Sequence, residues 1–251
     1  MILSLLLSTQ VFAFTFFGPY SNLAGFNVDD LYIYLNPNSC PQNFSTTLTN
    51  AISTWNQVPM SRLTLHFGGS TTATASDLRT GNFEERVVIA CSTNFETDSQ
   101  DQNGDGGCTG TCLSQVYARA GVFTDNQQRL LKSYIVINMN PSAQARLSQL
   151  SLSQQEVVVA HELGHTLGLG HSNVPEALMH AYISNKNEAL LDDDDQLGMA
   201  FLYPYDTPLG CGSMKASAPW FLLLFLLPMF LIYLFKTNNV SRYRKPLQKN
   251  S

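Results

Sequence analysis

Apolar and polar positions along the first four fifths of the chain follow two clear periods. In DLYIYLNP (Asp30 to Pro37) the apolar residues alternate, which predicts a strand with one buried face. In NFSTTLTNAISTWNQV (Asn43 to Val58), Phe44, Leu48, Ile52 and Trp55 recur at helical spacing and predict an amphipathic helix. RLTLHF and RVVIACS read as further strands. The run QVYARAGVFTDNQQRLLKSYIVINMN reads as a hairpin turning near Asp125 and Asn126. A polar, glycine-rich loop lies between Cys91 and Cys112. SLSQQEVVVAHELGHTLG reads as a helix, with Ser153 and Glu156 three residues on as its capping box and Gly168 as its stop. A last helix, DDDDQLGMAFLYP, begins on four acids suited to a helix N-terminus and breaks at Pro204. The acid run is expected to serve as that cap rather than as a catalytic cluster. No internal repeat is present.

Two segments break this pattern by being apolar throughout. Residues 1–13 form a short apolar leader, and Val11-Phe12-Ala13 offers the small residues a signal peptidase reads, so cleavage after Ala13 is expected. No Lys or Arg precedes its apolar core. Residues 216–235 (ASAPWFLLLFLLPMFLIYLF) carry no charge, and at about 1.5 Å per helical residue they match a bilayer core of about 30 Å. Pro228 is tolerable in a membrane helix.

Charge sorts along the same boundary. All 19 Asp and Glu precede Thr207, with only 8 of the 14 Lys and Arg, so the body stands near -11 and the last 45 residues at +6. An acidic body argues against nucleic-acid binding. A basic tail (236–251) after an apolar run predicts a cytoplasmic tail and a body on the extracytoplasmic side, periplasmic or extracellular. The expected order is leader 1–13, lead-in 14–29, catalytic body 30–206, linker 207–215, membrane span 216–235 and tail. The span is either a permanent anchor or a sorting signal cut near Gly210-Cys211-Gly212. Five cysteines suit an exported chain. Cys108 and Cys112 are near enough for a local bridge, Cys40 and Cys91 are the next candidate pair, and Cys211 is left over.

Three of the five histidines fall within eleven residues, in AHELGHTLGLGHS. On a helix His161 and His165 project from one face, one turn apart, and two imidazoles so placed can hold Zn²⁺ at about 2.0–2.1 Å. Gly168 allows a sharp turn that returns His171 as a third ligand. Three neutral nitrogens leave a fourth position for water, which is the pattern of a catalytic zinc rather than a structural one. Glu162, next to the first ligand, is placed to take a proton from that water and pass it to a leaving amine.

His161, Glu162, His165, Gly168 and His171 match the HExxHxxGxxH signature of the metzincin zinc peptidases. Ser172 after the third histidine, and Ala177-Leu178-Met179 beyond it, resemble the matrixin branch, the matrix-metalloproteinase-like group. The resemblance extends from about Asp30 to Tyr203. It implies an α+β zincin-like catalytic domain: a twisted mixed sheet of about five strands with three helices and a cleft between an upper and a lower part. It also implies Met179 as the Met-turn residue under the ligands, and specificity set by the wall MHAYISNKNEALL. No cysteine-switch propeptide motif is found, so the resemblance implies no zymogen of that kind. The second, structural zinc of many matrixins is not expected, because the loop that would hold it lacks histidine. Asp101, Asn103 and Asp105 in that loop resemble the start of a calcium loop, but Cys112 stands where a bidentate Glu would be. Calcium binding and a plain polar turn both remain open for it. His180 and Tyr182 are expected to shape the pocket, and His66 to be a strand residue.

The expected function is therefore a membrane-anchored zinc endopeptidase acting on extracytoplasmic proteins or peptides. The rival is a non-enzymatic surface or adhesion module stabilised by zinc, against which Glu162 argues because a structural clamp has no use for that carboxylate.

Overall fold

The computed structural model describes residues 14–20, 22–38, 40–99 and 115–205. Five strands form one sheet: β1 (Asp30–Asn36), β2 (Thr64–Ser70), β3 (Val87–Ser92), β4 (Ala118–Thr124) and β5 (Leu130–Asn138), in the order β2-β1-β3-β5-β4. The first four in that order run parallel, and β4 pairs antiparallel with β5 along an edge. Helices α1 (Phe44–Trp55), α2 (Ala75–Thr80), α3 (Phe95–Asp98), α4 (Leu152–Thr166) and α5 (Asp193–Leu202) complete the body.

The strand patterns explain the layering. In β1, Leu31, Ile33 and Leu35 are buried and their neighbours mostly are not. In β3 every residue is buried, because the strand is covered on both faces. Val87, Ile89 and Cys91 join the main core, which α1 and α4 close. Val88 and Ala90 join a smaller core on the other face with Leu78, Phe83, Phe95 and Val136. The predicted helical stripe Phe44, Leu48, Ile52 and Trp55 lies wholly in the main core, and the Trp55 indole N–H donates to Ala160 O at 2.8 Å. That bond fixes α1 against α4 in the middle of the site helix.

Among the described residues three helices of ten residues or more are present, as the resemblance implies, together with α2 and α3, which the periodicity does not predict. Both are too short to show a period. The six residues of α2 depend on a capping box between Thr74 and Asp77. The hairpin turns where expected, with the Asp125 carboxylate accepting the backbone N–H groups of Gln127 and Arg129. Residues expected as a lead-in are integrated into the body: Leu23 and Phe26 are buried, and Ala24 bridges to Arg129.

Cys40 and Cys91 form a disulfide that ties the loop after β1 to the end of β3. Cys108, Cys112, Cys211, the expected leader and the apolar run 216–235 lie outside the described residues. Among the described residues no helix is long and apolar enough to cross a membrane. The disulfide closes a loop across 51 positions. Replacing both Cys40 and Cys91 by Ser is expected to lower unfolding free energy by about 2–4 kcal/mol; a urea midpoint equal to that of the wild type would contradict this.

Candidate metal centre and cleft

Helix α4 starts two residues earlier than the sequence suggested. Ser151, not Ser153, is the N-cap, and its capping-box partner is Gln154, not Glu156. Glu156 instead accepts a hydrogen bond from the Asn50 side chain on α1, at 2.5 Å. Both serines have an acceptor three residues on, so local pattern alone does not separate them. From Val157 to Thr166 the helix is fully buried.

Its end is built for return. Gly168 takes φ +103°, a left-handed conformation that favours glycine. Leu169 N–H donates to Gly164 O and Gly168 N–H to His165 O, the paired bonds of a Schellman turn. The turn brings Leu169 O to 2.8 Å from His165 Nδ1. Leu178 O lies 2.8 Å from His161 Nδ1. A carbonyl only accepts, so both Nδ1 atoms carry the proton and both Nε2 lone pairs are left for a ligand. One ligand nitrogen from each of His161, His165 and His171 gathers within 4.8 Å of the others. Among the described residues this is the one set of three or more metal-binding side chains so placed. Burial, with the neighbouring histidines adding to it, pushes His161 down to about 4 and His165 well below the ordinary imidazole range. These neutral imidazoles fit a zinc ion, which requires unprotonated nitrogen.

Glu162 is 9% exposed and lines the same cavity as the three histidines, about 410 Å³ in volume. One wall is residues 115–120, leading into and along edge strand β4, and the other is 181–184 with Lys186. Met179 lies beneath, 2% exposed. A Cβ at Gly164 would stand 2.2 Å from Met179 Sδ and 2.7 Å from Trp55 Cζ2, so only glycine lets the sulfur and indole pass under the ligand helix. Tyr182 is 82% exposed on the cleft rim, and His180 Nδ1 takes the Tyr182 N–H at 3.2 Å. Neither joins the histidine set. His66 sits on β2, hydrogen-bonded to Asp30 and stacked on Tyr32. Asp101, Asn103 and Asp105 lie outside the described residues.

The acid run does more than cap a helix. Asp192 is the N-cap of α5, as expected. Asp195, 1% exposed, accepts Leu178 N–H at 2.7 Å and Met179 N–H at 3.0 Å, besides Asp192 N–H. Asp194 accepts the Ser172 hydroxyl at 2.5 Å. The acids therefore hold the turn that carries Leu178 O and the loop that carries His171. One sequence signal was available: four consecutive acids cannot all face water at the start of a helix that packs on a core.

The chain matches the matrixin family over residues 35–204, about two thirds of its length. It is 52% identical over 48 residues to matrix metalloproteinase-B of Caenorhabditis elegans, a stretch that is 18% of this chain and 9% of that protein. It is 51% identical over 47 residues to matrix metalloproteinase-9 of Canis lupus familiaris, 19% of this chain and 7% of the relative. It is 50% identical over 48 residues to karilysin of Tannerella forsythia, 19% and 10% respectively. The aligned stretches thus span a tenth or less of each of these relatives.

Asp195→Asn supplies one acceptor oxygen where the carboxylate supplies two. It is expected to cost about 2–3 kcal/mol, the scale of hydrogen bonds to a charged acceptor. Exposed Asp193→Asn should change stability by less than about 0.5 kcal/mol. Equal denaturant midpoints for the two variants would contradict the assignment. The depressed histidines predict a pH effect in metal-free protein. Between the unfolded value of 6.5 and the folded value of about 4 for His161, the folded state binds fewer protons than the unfolded state. This contribution is complete above the unfolded value and is lost as pH falls towards the folded one. Chelated wild type should therefore lose more stability between pH 7.5 and 5 than His161→Asn, measured by urea unfolding at each pH.

Proposed function

Because the chain belongs to the matrixin family, we propose that it is a zinc-dependent endopeptidase in which Glu162 moves the proton. The observation that carries this reading is the pair of Nδ1–carbonyl bonds. They turn the free nitrogens of His161 and His165 towards His171, in an open cleft that Glu162 also lines. A bound zinc ion would polarise the scissile carbonyl and lower the pKa of water at the fourth position. The Glu162 carboxylate takes a proton from the attacking water and delivers it to the departing amine nitrogen as the C–N bond breaks. The same group thus serves as base and then as acid.

The cleft suits an extended peptide. Among the described residues β4 ends the sheet, and Ala118, Arg119 and Ala120 on it line the cavity, so its backbone is placed to pair with a substrate strand. Leu150, Val158 and Ile183 give the cavity an apolar lining that favours an apolar substrate side chain. The same reading keeps the body outside the cytoplasm, held by the apolar run 216–235 and delivered by the leader 1–13. It is supported by the basic residues after the run and by the Cys40–Cys91 disulfide, a bond typical of oxidising compartments.

Purified wild type should cleave a denatured protein, lose that activity to a chelator and regain it with zinc. Glu162→Ala should keep its zinc and its fold while losing about 10²–10⁴-fold in rate. Equal cleavage by wild type and Glu162→Ala would remove Glu162 from the mechanism. A zinc-loaded, folded wild type that hydrolyses no peptide of a library would favour the adhesion module.

A further inference from the structure

The loop that carries the third histidine is held from an unexpected side. The segment after the leader runs antiparallel to it, with Phe16 bridged to Leu169. Phe17 N–H donates to Gly168 O at 2.9 Å, and Gly170 N–H donates to Thr15 O at 2.7 Å. The Thr15 hydroxyl donates to His171 O at 2.9 Å. The Phe17 ring lies 4.8 Å from the His165 ring, centroid to centroid, and lines the cleft. Three hydrogen bonds and one ring contact therefore bracket the turn from Gly168 to His171. At Gly170 a Cβ would meet Thr15 Oγ1 at 2.3 Å and Phe16 O at 2.4 Å, so the glycine there answers to this short strand. Phe14 and Phe16 seat the strand on α5 through Phe201, at ring distances of 5.6 and 5.8 Å.

We propose that Thr15, Phe16 and Phe17 form a positioning strand for the metal loop, with Phe17 fixing the plane of His165 and Thr15 fixing the backbone of His171. This rests on the zinc reading of the three histidines. His171 is exposed and sits on a loop rather than on α4, so its place relative to the helix depends on what holds that loop. Ser172 is held on one side by Asp194 and by its N–H bond to Met179 O. The positioning strand holds the other side, and it holds the Leu169 segment whose carbonyl sets the His165 tautomer. Residues 15–17 act on the ligands and take no part in bond making.

The test uses the full-length protein loaded with Co²⁺ in place of zinc, whose visible spectrum reports the ligand field, together with zinc affinity by chelator competition. Phe17→Ala and Thr15→Val should shift the cobalt bands and weaken zinc binding by about 10- to 100-fold, the usual effect of losing contacts around metal ligands. Phe17→Tyr, which keeps the ring, should restore both. If Phe17→Ala does not fold, Thr15→Val carries the test, since it keeps the bulk and removes one hydroxyl bond. Wild-type spectra and zinc affinity in both Phe17→Ala and Thr15→Val would overturn the proposal while leaving the zinc reading intact. A wild type that takes up neither metal would overturn both.

Discussion

Two backbone carbonyls, those of Leu169 and Leu178, decide what His161 and His165 can do. An imidazole in water exchanges freely between tautomers and titrates near neutrality. Here each Nδ1 faces a carbonyl at 2.8 Å, so each ring is held as one tautomer with Nε2 facing the site. Burial then keeps the rings neutral. Orientation and protonation state are therefore settled by the fold, before any ion arrives. The Schellman turn exists to put Leu169 O where it is, and the turn through Met179 exists to do the same for Leu178 O.

The second of these carbonyls is held at some cost. Asp195 is buried, and a carboxylate out of water loses several kcal/mol of solvation. Three backbone N–H donors offset this, but burial outweighs them and pushes the carboxyl above its ordinary range. The group thus adds little net stability over an apolar residue of similar shape. What it supplies is position: two oxygens on one rigid plane fix the N–H groups of Leu178 and Met179 together. Removing it would leave those donors unsatisfied in the core, which costs more than the group contributes. The same turn places the Met179 sulfur under Gly164, so the floor and the tautomer of the site share one anchor.

What was legible in the sequence follows from the range of each interaction. Strand alternation, the stripe of α1 and the spacing of His161 and His165 repeat within a few residues, and each appears in the structure where the pattern put it. Gly168 was legible because a left-handed residue has few alternatives to glycine. The start of α4 was misplaced by two residues because Ser151 and Ser153 carry equivalent local signals. The capping roles of Asp192 and Asp195 are legible locally, whereas the bonds of Asp194 and Asp195 to Ser172, Leu178 and Met179 span 16 to 22 residues and leave no local signal. The role of Thr15 and Phe17 was not legible at all, since it depends on contacts to residues more than 140 positions further along.

The three histidines are unequally placed, and this bears on how the site works. His161 and His165 are buried on α4, pinned at Nδ1, while His171 is exposed on its loop. A structural zinc site fills all four positions with protein ligands, whereas only three histidines gather here among the described residues. Here the exposed histidine lines the same cavity as Glu162 and residues 118–120 of the edge strand, so the proposed substrate would have one side from which to approach. The buried pair is held rigidly, and the exposed third histidine leaves the cleft open. A rigid half and an open half are what the proposed hydrolysis requires, since a proton moved by Glu162 would begin on water and end on a leaving group.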